Sequence, residues 1–198
     1  INEIINGGVD WVYEEEFNCR DGFRWSPDGT MIAFWQVDAT KIRDYYMLNT
    51  TDSNYSQVIP VEYPKVGETP SAVKVGVVNI NTRNIKWMDI AGDPQQHYIP
   101  RMEWSGKNEL VVQQLNRKQQ ESKLIYCNVS DGKARIFWAE NNQAWVDLNA
   151  ADPKGWNWIN NGKEFIWVSE KDGWRHIYKI SRDGNTEIVL TTGAYDIE

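Results

Sequence analysis

The sequence predicts an all-β chain, a partial β-propeller of about three four-stranded antiparallel blades with a hairpin-like insertion in the first. Three observations carry that expectation. Segments led by Trp recur as "FRWSPDGTMIAFWQV" (Phe23 to Val37), "MEWSGKNELVVQQL" (Met102 to Leu115) and "WNWINNGKEFIWVS" (Trp156 to Ser169). Each runs from a Trp through a Gly- or Asn-bearing turn into β-forming residues, and self-similarity on this scale points to propellers and other arrays. Asp-Gly pairs at Asp131-Gly132, Asp172-Gly173 and Asp183-Gly184 punctuate the second and third segments, where Gly takes positive φ without a Cβ clash and closes tight hairpins. Helical periodicity is almost absent.

The elements follow in order. Residues 1–22 form a connection that carries an acidic motif into the first blade, 23–92. From Trp25 to Trp104 there are 79 positions, against 54 from Trp104 to Trp158. The longer interval places an insertion at 38–72 in the first blade. Its stretch "LNTTDSNYSQVIPVEYP" is too polar and too punctuated by Pro for a core strand, so a solvated hairpin arm is one reading of it. The second blade, 93–143, has strands at Ile99 to Trp104, Leu110 to Leu115, "SKLIYCNV" and "ARIFWAE". The third, 144–198, has "EFIWVS", "WRHIYKI" and "TEIVLTT" joined by Asp-Gly turns. Strand and tight turn in alternation make the four-stranded meander of a blade. The 11 Trp are expected mostly to fill the wedges between blades, where flat side chains bury much apolar area.

Composition narrows the function. A formal charge of −7 over 198 residues argues against nucleic acid, which needs a clustered basic surface. No apolar run approaches the length of a membrane span, about 20 residues. No signal peptide is visible and the chain starts at Ile1, so an excised segment is expected. Cys19 and Cys127 lack any CxxC neighbour and are expected as free, buried thiols. No P-loop, dinucleotide fingerprint or metal-ligand cluster occurs, so no cofactor and no metal are expected. The strained G-x-S-x-G elbow of serine hydrolases is missing. Ser26 fits a blade turn, His97 a loop between units, and His176 a strand; none is expected to be catalytic. This chain alone is expected to be catalytically inert.

One stretch stands out, although an acidic run is most often a solvated turn. "DWVYEEEFNCR" (Asp10 to Arg20) sets Glu14, Glu15 and Glu16 in a row between Tyr13 and Phe17, where repulsion and desolvation both disfavour ionisation. A connection or a single helical turn is expected there. Adjacent carboxylates can accept two of the three N–H donors of an ammonium, which makes a small cation the matching ligand.

"DWVYEEEF" resembles the acidic motif of the dipeptidyl peptidase IV family of serine exopeptidases. The resemblance continues through "WSPDGTMIAFWQVD", "VEYPKVGETPSAVKVGVVN", "SEKDGWRHIYKISRDG" and "LTTGAYDIE", in the same order over nearly the whole chain. It implies the N-terminal propeller of an enzyme whose C-terminal α/β-hydrolase domain, absent here, supplies Ser, Asp and His. It also implies that Glu15 and Glu16 bind the free N-terminus of a peptide substrate, so that dipeptides with Pro or Ala second are released. Glu14 and Tyr13 are expected to support them. Homo-oligomerisation is implied, with the insertion as a dimerisation arm, and so is a periplasmic or extracytoplasmic parent. The sequence departs from the family at "WVDLNAADP": Leu148 and Asn149 stand where an Arg-Phe pair would contribute to the substrate subsites. A non-enzymatic peptide-binding propeller and a tripeptidyl variant are the rival readings.

Overall fold

The computed structural model describes residues 3–148 and 155–198. The chain enters as β1 (Ile4–Asn6), leaves the sheet for helix α1 (Trp11–Phe17) and returns as β2 (Phe23–Trp25). Both strands pair with the same edge of β3 (Met31–Asp38). Ile4 to Asn6 lie against Gln36 to Asp38, and Phe23 to Trp25 against Ile32 to Phe34. Trp35 sits between the two: Gly7 N donates to its carbonyl, and its own N–H donates to Gly22 O, each at 3.0 Å. Residues 8–21 are thus an excursion from a single sheet edge, and the acidic motif rides on it.

This corrects the first boundary drawn from sequence. Ile4 to Asn6 belong to the first sheet, which has five strands instead of four. The reason is backbone pairing: β2 is too short to cover β3, and the uncovered polar groups need a partner.

On leaving β3 the chain does not turn directly back. β4 (Asp44–Asn49) and β5 (Gln57–Glu62) first form a two-stranded hairpin that pairs with no other strand among the described residues. Pro60, which cannot donate to a ladder, sits opposite Tyr46 in this ribbon. Tyr46, Leu48, Tyr55 and Val58 are exposed along it. The chain then rejoins the sheet as β6 (Ala72–Asn79), with Val75 opposite Trp35, and β7 (Ile85–Trp87) closes the outer edge.

The second sheet is a plain meander of β8 (His97–Gly106), β9 (Glu109–Asn116), β10 (Glu121–Asn128) and β11 (Ala134–Asn141). The third repeats it with β12 (Asn157–Ile159), β13 (Glu164–Ser169), β14 (His176–Ser181) and β15 (Glu187–Val189). The third blade's last strand is shorter than "TEIVLTT" suggested. The three sheets do not close on themselves. Together they are a partial β-propeller, as the sequence predicts.

Two apolar cores weld the blades. One joins α1, the first sheet and the second through Tyr13, Phe17, Trp35, Val75, Ile99 and Met102. The other joins the second and third through Leu124, Trp138, Trp156, Phe165 and Trp167. Buried indoles carry their polar edge across the seams, as such rings must when water is excluded. Trp35 Nε1 donates to Ile99 O at 2.8 Å, and Trp167 Nε1 donates to Glu140 Oε2 at 2.8 Å. The wedge reading holds for Trp35, Trp138, Trp156 and Trp167 but not for Trp25, Trp87, Trp145 and Trp174, which are exposed. Trp25 and Trp87 share an apolar surface cleft with Phe23, Phe34 and Ile85. Strand alternation explains it: Ala33, Trp35 and Val37 of β3 face the core, while Ile32, Phe34 and Gln36 line this outer cleft.

Candidate functional site

Helix α1 is seven residues long, too short to persist alone. Packing holds it. Asp10 caps its start, with Oδ1 accepting from Tyr13 N–H at 3.1 Å, and Asn18 ends it in the left-handed region at φ 52°. Asn adopts that conformation more readily than other non-Gly residues. Tyr13 and Phe17, four apart and so on one face, are both buried. The Tyr13 ring meets Phe17 edge-on at 5.4 Å and Tyr98 at 6.2 Å. Its hydroxyl accepts from Ile99 N–H of β8 at 2.9 Å, and burial raises its pKa well above that of a free phenol. Tyr13 is an anchor between helix and second blade, with no surface to offer a ligand.

Turning the helix away from that face exposes the acids. Glu14 is half-buried and pairs with Arg20 at 2.6 Å. Glu15 and Glu16 are exposed, and neither makes an ion pair among the described residues. Glu16 borders a cleft of about 560 Å³ shared by Trp11, Tyr63, Lys65, Tyr98 and Arg117, whereas Glu15 stands outside it. The wall opposite is the root of the β4–β5 hairpin. Arg117 is fixed there by its Nη1–H bond to Tyr98 Oη and its Nη2–H bond to Glu68 O.

Beyond α1, Cys19 donates its thiol to Pro100 O at 2.9 Å, and burial pushes its pKa up to about 11. Cys127 is pushed up to about 12 by burial. Both are free, and thiols so hard to ionise are poor nucleophiles and ligands. No group of His, Cys, Asp or Glu that could hold a metal occurs among the described residues.

His97 is corrected: it opens β8 and is buried, with Nδ1 at 3.0 Å from Gln114 Nε2. Burial lowers its pKa, so the unfolded chain takes up the proton first. The stability this gives is present above the ordinary His value, about 6.5, and is lost as pH falls below it. Melting from pH 7.5 down to pH 5 should therefore destabilise the wild-type chain more than His97→Gln. Equal losses in the two would refute it.

His176 lies in β14, buried, with Nδ1 at 2.8 Å from Asp172 Oδ2. Ser26 donates to Asp28 Oδ1 at 2.8 Å and accepts from Met31 N–H at 2.9 Å, which closes the turn between β2 and β3. Leu148 packs against the first core and accepts from the buried Arg101 guanidinium at 3.0 Å through its carbonyl. Asn149 lies outside the described residues.

Sequence reasoning missed Asp10, Ser71, Tyr98 and Arg117. An Asp directly before a helical turn is a capping signal, so Asp10 was findable. Ser71 and Tyr98 meet the helix and its cap only through tertiary contacts, and Arg117 reaches them only through Tyr98.

Three antiparallel sheets in sequence, with an acidic helix on an excursion from the first, place the chain in the class of β-propeller proteins. The profile of the family "Dipeptidyl peptidase IV (DPP IV) N-terminal region" matches residues 1–198, and the chain belongs to that family. It is 28% identical over 205 residues to a protein described as probable dipeptidyl peptidase 4 of Trichophyton verrucosum, covering 98% of this chain and 27% of that protein. It is 27% identical over 205 residues to dipeptidyl peptidase 4 of Trichophyton equinum, with 98% of this chain and 26% of that protein covered. The crystal structure of Porphyromonas gingivalis dipeptidyl peptidase 4 superposes with a TM-score of 0.91 at 33% identity, over 100% of this chain and 28% of the other. The chain therefore spans little more than a quarter of the length of these relatives.

Proposed function

We propose that this region gates substrates for a dipeptidyl peptidase IV-like serine exopeptidase, with Glu15 and Glu16 holding the free amino end of the peptide. A C-terminal α/β-hydrolase domain of the same protein would then cleave two residues in, after Pro or Ala. One observation carries this reading. Two exposed carboxylates occupy the last turn of α1, which contains no basic residue. That end of a helix already bears partial negative charge and disfavours acids, so the local energetics favour an arriving cation. An ammonium would meet carboxylates and helix dipole together. An anchor for the leading amine, at a fixed distance from a nucleophile, measures chain length from the amino end, which is what an exopeptidase needs.

The test compares free and N-acetylated X-Pro amides on the full-length protein. Strong preference for the free amine supports the reading; equal kcat/KM on both refutes it.

The same proposal treats the full-length protein as a homo-oligomer, with the exposed β4–β5 hairpin as an arm. The apolar face around Trp25 and Trp87 leads to a separate expectation for the isolated 198-residue chain. Such a patch favours association, so its apparent mass in size-exclusion chromatography should rise with concentration. A monomer at all concentrations would count against this.

A further inference from the structure

We propose that Asp10 and Ser71 are positioning residues for the acid pair: their buried hydrogen bond ties the base of the hairpin insertion to the first turn of α1 and so sets where Glu15 and Glu16 stand. This inference rests on the amine-anchoring reading above. Asp10 is used twice. Oδ1 caps Tyr13 N–H at 3.1 Å, and Oδ2 accepts from the Ser71 hydroxyl at 2.6 Å. Both residues are buried. Ser71 immediately precedes β6, where the insertion rejoins the sheet.

Two further contacts join the same parts. The Trp11 ring lies 4.2 Å from that of Tyr63, just beyond β5. Arg117 holds Glu68 O on one side and Tyr98 on the other, and Tyr98 packs against Phe17 at 5.1 Å. Hairpin base, helix and second blade therefore meet at α1.

The lever arm makes the clamp matter. Tyr13 and Phe17 fix one face of α1 and leave its roll about that face to the clamp; with side chains reaching roughly 6 Å from the helix axis, a roll of about 15° moves the acids by about 1.5 Å. Displacements of that size are enough to spoil a positioned contact. Tyr13 and Phe17 would still hold the helix to the core, which separates position from folding.

The experiment uses the full-length enzyme, with Glu15→Gln/Glu16→Gln as reference. Ser71→Ala should raise KM for a free-amine X-Pro amide about tenfold with kcat within about twofold, the pattern of lost ground-state binding. It should also weaken inhibition by a free X-Pro dipeptide without affecting the N-acetyl dipeptide, while the melting temperature falls by no more than the few degrees that losing one buried hydrogen bond costs. Asp10→Asn keeps an acceptor for Tyr13 N–H and offers Nδ2 to the Ser71 oxygen, so it should stay within about threefold of wild type. The proposal is overturned if Ser71→Ala leaves KM unchanged, or if it affects free and acetylated ligands alike. If the Gln reference itself retains full preference for the free amine, the amine-anchoring reading fails, and this inference with it. If the reference loses preference and Ser71→Ala does not, only the positioning role fails.

Discussion

Replacing Glu15 and Glu16 together with Gln should lower kcat/KM on a free-amine dipeptidyl substrate by about 10²–10⁴-fold, since each charge-assisted hydrogen bond contributes roughly 1.5–3 kcal/mol. Gln keeps the length of the side chain and one carbonyl acceptor, so the loss reports charge and not shape. The folded state should hardly notice. Both side chains are exposed and lack ion pairs among the described residues, and removing like charges from the end of a helix relieves repulsion there. Glu14→Gln is the internal control. It breaks only the solvent-exposed pair with Arg20, an interaction typically worth about 0–1 kcal/mol, and should leave kinetics near wild type. Steady-state rates on the full-length protein decide it. A double variant within threefold of wild type would remove the acids from substrate binding.

Gly22→Ala should be the most damaging single-methyl change at the root of the site. Here the excursion bearing α1 closes, and the two crossing segments nearly touch. A Cβ on Gly22 would lie 2.4 Å from both Gly7 C and Gly8 N, and 2.6 Å from Gly8 Cα. Those are backbone atoms, which cannot swing aside as a side chain can. Either β1 leaves the edge of β3 or the excursion opens, at a cost of about 3 kcal/mol. Gly29→Ala calibrates the result. Its Cβ meets nothing within 4 Å, but φ is +67°, so the cost there is conformational, about 1–2 kcal/mol. Urea unfolding of both variants provides the comparison. The close-crossing argument is wrong if Gly22→Ala is no less stable than Gly29→Ala.

The run of acids was legible as a run: three carboxylates in a row between aromatic residues stand out in the sequence. An acidic run is usually a solvated turn, however, and the amine-binding role proposed for Glu15 and Glu16 came from the family resemblance. The insertion was legible too, from its Pro and polar residues and from the stretched Trp spacing. Its hairpin form was expected as well; the register of that hairpin was not, because exposed β4 and β5 lack the alternation that burying one face imposes. His97 was misplaced for a related reason. The expected first strand of the second blade began at Ile99, which left His97 in the connection, yet the start of β8 is buried beneath the connection from the first blade, where Gln114 also donates to Ala91 O at 2.8 Å. Trp25 and Trp87 carried the same sequence signal as Trp35. Which of them faces a neighbouring blade depends on strand phase relative to a partner, and pattern along one strand does not reveal that partner.

What the sequence alone determined was therefore the repeating strand-and-turn unit, the insertion within it and the run of adjacent acids, all of which are written in residue pattern and spacing along the chain. Only the tertiary structure decided how those acids are held. Asp10 meets Ser71 across 61 positions, Tyr13 meets Ile99 across 86, and Cys19 meets Pro100 across 81. Contacts of such separation exist because two sheets bury a common core, and burial turns an otherwise unstable seven-residue helix into a fixed support.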